Sequence, residues 1–140
     1  MATKQNEVGT KTEEYVRDWF KARGFWAALF PKSQNGQPCD IVAAKGVDGK
    51  DLVLFVDAKH MESRDKSFAF TRVESNQRTA FRLLQLRGVK NIGFAIQSEI
   101  DPSRLLFLSF DKYIEMEGMG LKSVELATLE DMEEVICKLS

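Results

Sequence analysis

The fold of this chain is decided by one stretch of its sequence, Leu52-Val53-Leu54-Phe55-Val56-Asp57-Ala58-Lys59. Five consecutive apolar residues predict a strand that is buried on both faces of a sheet. The strand nevertheless ends in an acid and a base, and the alternation of side chains along a strand places Asp57 and Lys59 on one face. A carboxylate at the end of a buried strand is costly unless a partner or a metal compensates its charge. An internal Asp–Lys ion pair is one interpretation, and a functional site is the other.

Around this stretch the hydrophobic pattern predicts alternating strands and helices. Strands are predicted at residues 25–30, 41–44, 52–59, 92–96 and 105–108, and helices at residues 9–23, 73–87, 111–117 and from the Thr128 region through Cys137. Polar loops are predicted at residues 32–38 and 60–70. The order of one helix, three strands, a helix, two strands and an appendix predicts a single α/β domain with a mixed sheet. We expect a core at about residues 9–114 and an acidic, helical appendix at about residues 115–140.

The size and composition of the chain exclude several classes of protein. Its 140 residues suit one domain, and 44% hydrophobic with 29% charged residues is a balance typical of soluble domains. No apolar run approaches the roughly 20 residues of a membrane-spanning helix, and the polar start does not resemble a signal peptide. The two cysteines, Cys39 and Cys137, predict a reducing cytoplasm rather than a disulfide framework. The single histidine, His60, excludes sites that need several imidazoles, and a P-loop is also absent from the sequence.

Charge is distributed unevenly along the chain, although the net charge is only −1. Residues 59–90 contain eight basic and three acidic residues, a net charge of +5, whereas residues 111–140 contain eight acidic residues and three lysines, a net charge of −5. A basic middle can bind phosphates while an acidic end stays away from them or contacts a protein partner. Two solvated surfaces of opposite sign would give the same pattern.

Two carboxylates are predicted to converge on one site. Asp40 stands at the threshold of the second strand, and the turn residues Gly46 to Gly49 predict that this strand forms a hairpin with the third. If the two strands pair, Asp40 and Asp57 lie close enough to hold a hard cation, because Mg²⁺ prefers carboxylates, carbonyls and water. A lysine beside them can then orient or activate the attacking water. Turn or cap chemistry is the alternative role for Asp40.

The first helix contributes a third acid to this hypothesis. Glu13 shares the apolar face with Val16 and Phe20, whereas Glu14 falls on the polar face. An acid that points inward is unusual, so Glu13 is a candidate site residue. A glutamate at the edge of the apolar stripe that reaches back to water is the alternative.

The second long helix and the loop before it carry further candidates. Gln77 lies on the same face as Phe81, where it can bond a metal-bound water or a phosphate, or cap a buried backbone group. Arg72, Arg78 and Arg82 can bind backbone phosphates or remain solvated. Phe68 and Phe70 are predicted core residues rather than platforms for base stacking.

Taken together, Glu13, Asp40, Asp57-Ala58-Lys59 and Gln77 on this frame resemble the PD-(D/E)xK nuclease superfamily, and more closely its RecU-type and archaeal Holliday-junction resolvases. The opening Gly9-x-x-x-Glu13, the run from Lys32-Ser33 through Asp40 to Lys59, and the segment from Lys66 to Gln77 are similar to segments of those enzymes in the same order. The likeness covers about residues 9–114. Asn76 stands where the family usually has histidine, and Asp57 stands where glutamate is commoner.

The resemblance implies a restriction-endonuclease-like αβββαβ core and a metal-dependent endonuclease that resolves four-way DNA junctions as a homodimer. Mg²⁺, or Mn²⁺ in its place, would be held by Asp40, Asp57, the Ala58 carbonyl and Glu13, with Lys59 and Gln77 completing the catalytic set. The implied DNA contacts are Lys32, Ser33, Arg64, Lys66, Arg72 and Arg78. Another structure-specific or restriction-type nuclease, and a nuclease-like domain that binds DNA or protein without cutting, are the alternatives.

Overall fold

The computed structural model describes residues 4–31 and 38–140 of the chain. The described helices are α1 (Lys4–Lys21), α2 (Ser75–Leu86), α3 (Phe110–Gly118) and α4 (Met132–Leu139). The described strands are β1 (Trp26–Leu29), β2 (Ile41–Val47), β3 (Lys50–Met61), β4 (Ser67–Ala69), β5 (Ile92–Ser98), β6 (Leu105–Ser109), β7 (Ser123–Glu125) and β8 (Glu130–Asp131). Two 3-10 turns, Phe70–Arg72 and Leu126–Thr128, lie between them. None of the helices within these ranges is long and apolar enough to cross a membrane.

Six strands form one mixed sheet in the order β1-β2-β3-β5-β6-β8. β3 and β5 run parallel, and the other neighbouring strands of this sheet run antiparallel. The predicted α/β fold with a mixed sheet is therefore confirmed. The predicted β2–β3 hairpin is also present, and its two turn residues Asp48 and Gly49 have φ values of 51° and 79°. A two-residue hairpin turn needs positive φ at both positions, which aspartate and glycine tolerate.

Helices cover both faces of this sheet, and each face has its own core. The three-and-four spacing in α1 buries Val16 and Phe20 completely against β1, β2 and β3. On the other face, α2 and α3 contribute Phe81 and Tyr113 to an aromatic cluster around Phe94 of β5, with the rings of Phe81 and Phe94 5.4 Å apart. Phe68 and Phe70 lie in the same core, as the sequence predicts.

The C-terminal residues pair with the rest of the chain as strands before they form a helix. β7 pairs with β4, and β8 pairs with Leu106 and Phe107 of β6. The sequence-based start of the last helix at Thr128 is wrong, because Leu129 is buried and Glu130–Asp131 are extended against β6. The helix begins instead at Met132, where the Asp131 side chain accepts a hydrogen bond from the Glu133 amide. Asp131 can cap a helix as well as Thr128 can, so capping preference does not decide between the two starts. The pairing of β8 with β6 decides where the helix starts.

Candidate active site

Two carboxylates meet where β2 begins beside β3. The register that pairs Ile41 with Val56 brings Asp40 opposite Asp57. The Asp40 amide donates to Oδ1 of Asp57 at 3.0 Å, and the Ala58 amide donates to Oδ2 of Asp40 at 2.9 Å. The backbone of each strand therefore orients the carboxylate of the other strand.

Both of these carboxylates are removed from water. Asp57 is 1% exposed and Asp40 is 8% exposed. Burial raises the pKa of the neighbouring Cys39 thiol above its usual value, and the charges of Asp57 and then Asp40 raise it further. Cys39 therefore stays a neutral thiol, and its Sγ donates to the Ile41 carbonyl at 3.2 Å. Two buried anions side by side favour the binding of a cation.

Lys59 follows Asp57 on the same face of β3 and is held by two acceptors. Its ammonium Nζ lies 3.0 Å from Oε1 of Gln77 and 3.3 Å from the Arg72 carbonyl oxygen. Burial lowers the pKa of Lys59 from its ordinary value; Asp57 and Asp40 oppose this, and the Arg72 charge lowers the pKa further. A lysine in such surroundings gives up a proton more readily than a surface lysine does.

Gln77 links this lysine to the start of α2. Glu74 is the N-cap of the helix, and Glu74 and Gln77 form a capping box. The same Oε1 atom of Gln77 accepts from the Glu74 amide at 3.4 Å and from Lys59 at 3.0 Å. The start of α2 therefore determines where the Lys59 ammonium is placed.

An open groove of about 790 Å³ runs along this end of the sheet. It is lined by residues of α1, the end of β3, the following loop and the 3-10 turn, among them Gly9, Thr12, Ala58, Lys59, His60 and Arg72. Next to Thr12 in α1, Glu13 is half-buried and Glu14 is exposed, as their helical positions predict. Lys59 therefore lies in an open groove rather than in an enclosed cavity.

The oxygen atoms of this site suit a hard cation. Within the described residues, no group of three or more histidine, cysteine, aspartate or glutamate side chains is arranged to hold a metal ion. Mg²⁺ commonly binds through only one or two carboxylates and keeps several waters, so Asp40 and Asp57 fit it. The Ala58 carbonyl points to the same side as its amide, which bonds Asp40, because the two groups of a strand residue face one neighbour. The part of Glu13 in metal binding stays a prediction.

Several of the predicted DNA contacts already have partners within the protein. Arg78 forms an ion pair with Glu117 of α3 at 2.6 Å, and Arg64 forms one with Glu62 at 2.9 Å. Lys66 is exposed. Lys32 and Ser33 lie outside the described residues. The DNA-binding roles of these residues stay predictions.

Arg72, another predicted DNA contact, and His60 form contacts that the sequence did not predict. The Arg72 guanidinium donates to the His60 carbonyl at 2.9 Å, which ties the 3-10 turn to the end of β3. The His60 ring Nε2 lies 3.0 Å from a carboxylate oxygen of Glu99. Glu99 follows β5, and only the parallel pairing of β3 with β5 brings it beside His60. No local motif signals such a pair.

Comparison with known proteins finds a likeness at the level of the fold. No protein-family model matches the chain, and no curated protein matches it either. Among solved structures, the chain is similar to Hjc of Archaeoglobus fulgidus, which is described as a Holliday junction resolvase from an archaeal hyperthermophile. The TM-score is 0.60 at 16% identity, over 91% of this chain and 94% of that one. The predicted restriction-endonuclease-like fold is confirmed, whereas the closer likeness to RecU-type enzymes stays a prediction.

Proposed function

We propose that this protein is a metal-dependent endonuclease that hydrolyses phosphodiester bonds in branched DNA, most specifically in four-way junctions. One observation carries the proposal: Asp40 and Asp57 are buried beside each other, and Lys59, two residues after Asp57 in β3, lines an open groove. A purely structural ion pair does not require two adjacent buried carboxylates beside one lysine.

In this proposal each residue has a defined task. Asp40, Asp57 and the Ala58 carbonyl hold the divalent cation, Mg²⁺ or Mn²⁺, which neutralises charge that develops on the phosphate. Lys59 orients the attacking water and accepts a hydrogen bond or proton from it when its amine is neutral. Gln77 keeps Nζ of Lys59 in place. Glu13 orients water or contributes to a second cation.

A symmetric dimer suits a junction, because two copies related by a two-fold axis can cut two strands symmetrically. One sheet face supports such a dimer. Cross-strand partners Trp26, Ala44 and Val53, together with Ala28 and Val42, form an apolar face on the side opposite α1. Trp26 is 65% exposed and the other four side chains are half-buried or partly exposed. These five side chains are all apolar, and an exposed apolar patch favours a protein partner over a phosphate backbone.

The dimer is tested by measuring molar mass in solution by light scattering. We expect the parent protein to have twice the mass of one chain and Val42→Glu to have the mass of one chain. The control is Val47→Glu, at the hairpin end of β2, which should remain dimeric. A parent protein that is monomeric at all concentrations contradicts this part of the proposal without affecting the metal site.

The nuclease activity is tested with purified protein, Mg²⁺, and labelled junction, flap and linear duplex DNA. We expect cleavage that requires metal and prefers the junction. Asp57→Asn removes a ligand charge and should lower the rate by about a thousandfold or more. The matched control is Asp51→Asn, which changes an exposed aspartate of the same strand.

The outcomes separate the candidate functions. Equal cleavage by Asp57→Asn and the parent protein would show that the metal site is assigned wrongly. Preference for flap or linear DNA would retain the nuclease and replace the substrate. Saturable DNA binding without cleavage at any metal concentration would favour a domain that binds DNA and does not cut it.

A further inference from the structure

A second cavity, which we call the C-terminal cavity, lies at the opposite end of β5 from the candidate active site. The groove includes Glu99, which follows β5, whereas this cavity includes Asn91, which precedes it. The seven residues of β5 separate the two sites by roughly 20 Å. The C-terminal cavity has a volume of about 220 Å³ and lies between β3, β6 and α4.

The floor of the C-terminal cavity is apolar. Its apolar lining consists of Leu54, Phe107, Leu129, Val135 and Leu139. Three of these residues belong to the acidic C-terminal region that follows the recognised nuclease-like core. The cavity therefore lies where the C-terminal region packs against β3 and β6.

Three lysines from separate parts of the chain surround this apolar floor. Lys90 precedes β5, Lys112 lies in the first turn of α3, and Lys138 lies in the last turn of α4. One acid, Glu130, also lines the cavity, and its carboxylate is 3.7 Å from Nζ of Lys138. Lys90 and Lys112 form no ion pair with any residue in the described ranges. The rim therefore has an excess of positive charge in a region whose sequence is acidic.

Another apolar cavity of similar size does not share this excess. It has a volume of about 280 Å³, and its cations are Lys66 and Arg104. Asp101 lines the same cavity, and the Arg104 guanidinium is 2.7 Å from a carboxylate oxygen of Asp131. Its charges are therefore balanced, whereas the rim of the C-terminal cavity has an excess of positive charge.

We propose that the C-terminal cavity binds an acidic peptide of a partner protein, with one apolar side chain of the peptide in the cavity and its carboxylates against Lys90, Lys112 and Lys138. The volume is below the roughly 300–1,000 Å³ of typical small-molecule pockets and suits a single large side chain. Charge complementarity selects acidic neighbours for that side chain. A DNA backbone would contact the lysines but not the apolar floor, because phosphate contacts need no apolar cavity. An acidic peptide with an apolar side chain would contact both.

Binding is measured by fluorescence anisotropy with the labelled peptide Glu-Asp-Phe-Asp-Glu. We expect a dissociation constant on the order of 100 μM, because one buried side chain and a few exposed ion pairs give modest affinity. Two control peptides separate the contributions. Replacing the phenylalanine by serine removes the apolar anchor, and replacing all acids by their amides removes the charge. Both changes should abolish measurable binding.

The matching change in the protein is the triple variant Lys90→Gln, Lys112→Gln and Lys138→Gln. We expect it to bind the acidic peptide about tenfold more weakly, since each exposed ion pair contributes little by itself. The control variant is Lys50→Gln, an exposed lysine at the β2–β3 turn, which should bind as the parent does. Backbone amide shifts measured by NMR should move at Asn91, Lys112 and Leu139 during the titration. Shifts confined to the Lys59 groove would overturn the proposal.

Two other results would also overturn it. One is the lack of saturable binding by the acidic peptide up to about 1 mM. The other is a triple variant that binds duplex DNA about tenfold more weakly while it binds the peptide as the parent does, which would make the lysines DNA contacts. Nuclease activity is a separate readout, so failure of the nuclease proposal and failure of this one are distinguishable.

Discussion

The two halves of β3, residues 50–56 and residues 57–61, have different roles. In the first half, Leu54 and Val56 are completely buried against α1, and Phe55 packs into the core on the other face. In the second half, the strand buries Asp57 and places Lys59 beside the groove. The first half contributes packing, and the second half contributes charge.

The difference between the halves follows from their neighbouring strands. β2 pairs with β3 only as far as Val56, whereas β5 pairs with β3 from Phe55 to Met61. The second half therefore lacks a β2 neighbour, and its Ala58 amide bonds the Asp40 carboxylate instead of a strand carbonyl. A charged site is accommodated in a buried strand at the point where one neighbour ends, since main-chain amides there can orient carboxylates.

After Asp57→Asn, the largest effect is expected for Lys59→Ala, which removes the lysine side chain from the second half of β3. Its cleavage rate should fall by about a hundredfold to a thousandfold, because a positioned proton acceptor or donor contributes that much. Single-turnover cleavage of junction DNA measures the rate, and thermal unfolding measures stability. Lys50→Ala, an exposed lysine at the start of the same strand, is the control and should cleave normally. A rate within a few-fold of the parent would assign Lys59 to structure alone.

The next largest effect is expected for Leu54→Ala in the first half. A completely buried leucine leaves a cavity when it is truncated, so the free energy of unfolding should fall by about 3 kcal/mol. Urea denaturation followed by tryptophan fluorescence measures this loss. Single-turnover cleavage at a temperature where the variant is folded should be unchanged. A stable variant with a large loss of activity would mean that the two halves are not separable.

Much of the difference between the two halves of β3 was predictable from the sequence, because it depends on local sequence signals. The apolar run of residues 52–56 predicts a buried strand, and Asp48-Gly49 predicts the hairpin turn. The hairpin sets the register, and the register places Asp40 opposite Asp57. The inward orientation of Gln77 was also predictable, from its face on the helix. Its bond to Lys59 follows once α2 lies on the face that carries Asp57.

What could not be predicted depends on segments far apart in the chain. β7 and β8 contain three and two residues, which is too short for a periodic pattern to be recognised. Their partners β4 and β6 are distant or separated by a helix, so pairing decides their structure. The contact between His60 and Glu99 has the same origin, since it requires the parallel pairing of β3 and β5.

A smaller effect is expected for Gln77→Ala, because this variant retains the Lys59 side chain and removes one of the two acceptors of its ammonium group. The cleavage rate should fall about tenfold, and stability should fall by about 1 kcal/mol through loss of the capping box. Gln77→Glu retains an acceptor oxygen and should restore most of the rate. Thr79→Ala, an exposed change in the same helix, controls for a general effect on α2. If Gln77→Ala and Thr79→Ala lower the rate equally, Gln77 does not position Lys59.

The smallest effect is expected for Glu117→Gln, because its ion pair lies outside β3 and faces water. The Arg78 and Glu117 side chains are 44% and 37% exposed, so the pair should contribute only about 0.5 kcal/mol to stability. The hydrogen bond from Arg78, and then that from Tyr113, lowers the pKa of Glu117. A carboxyl whose folded-state pKa is lowered stabilises the fold above its unfolded pKa of about 4.3, and this contribution is lost as pH falls through the folded value. Urea denaturation of parent and variant should therefore differ at neutral pH and converge in acid, with Glu115→Gln, an exposed glutamate of the same helix, as the control. If the difference persists unchanged in acid, the variant alters packing rather than charge. The experiment would then not measure the contribution of an exposed ion pair, and that contribution could not be compared with the effect of the charged residues in β3.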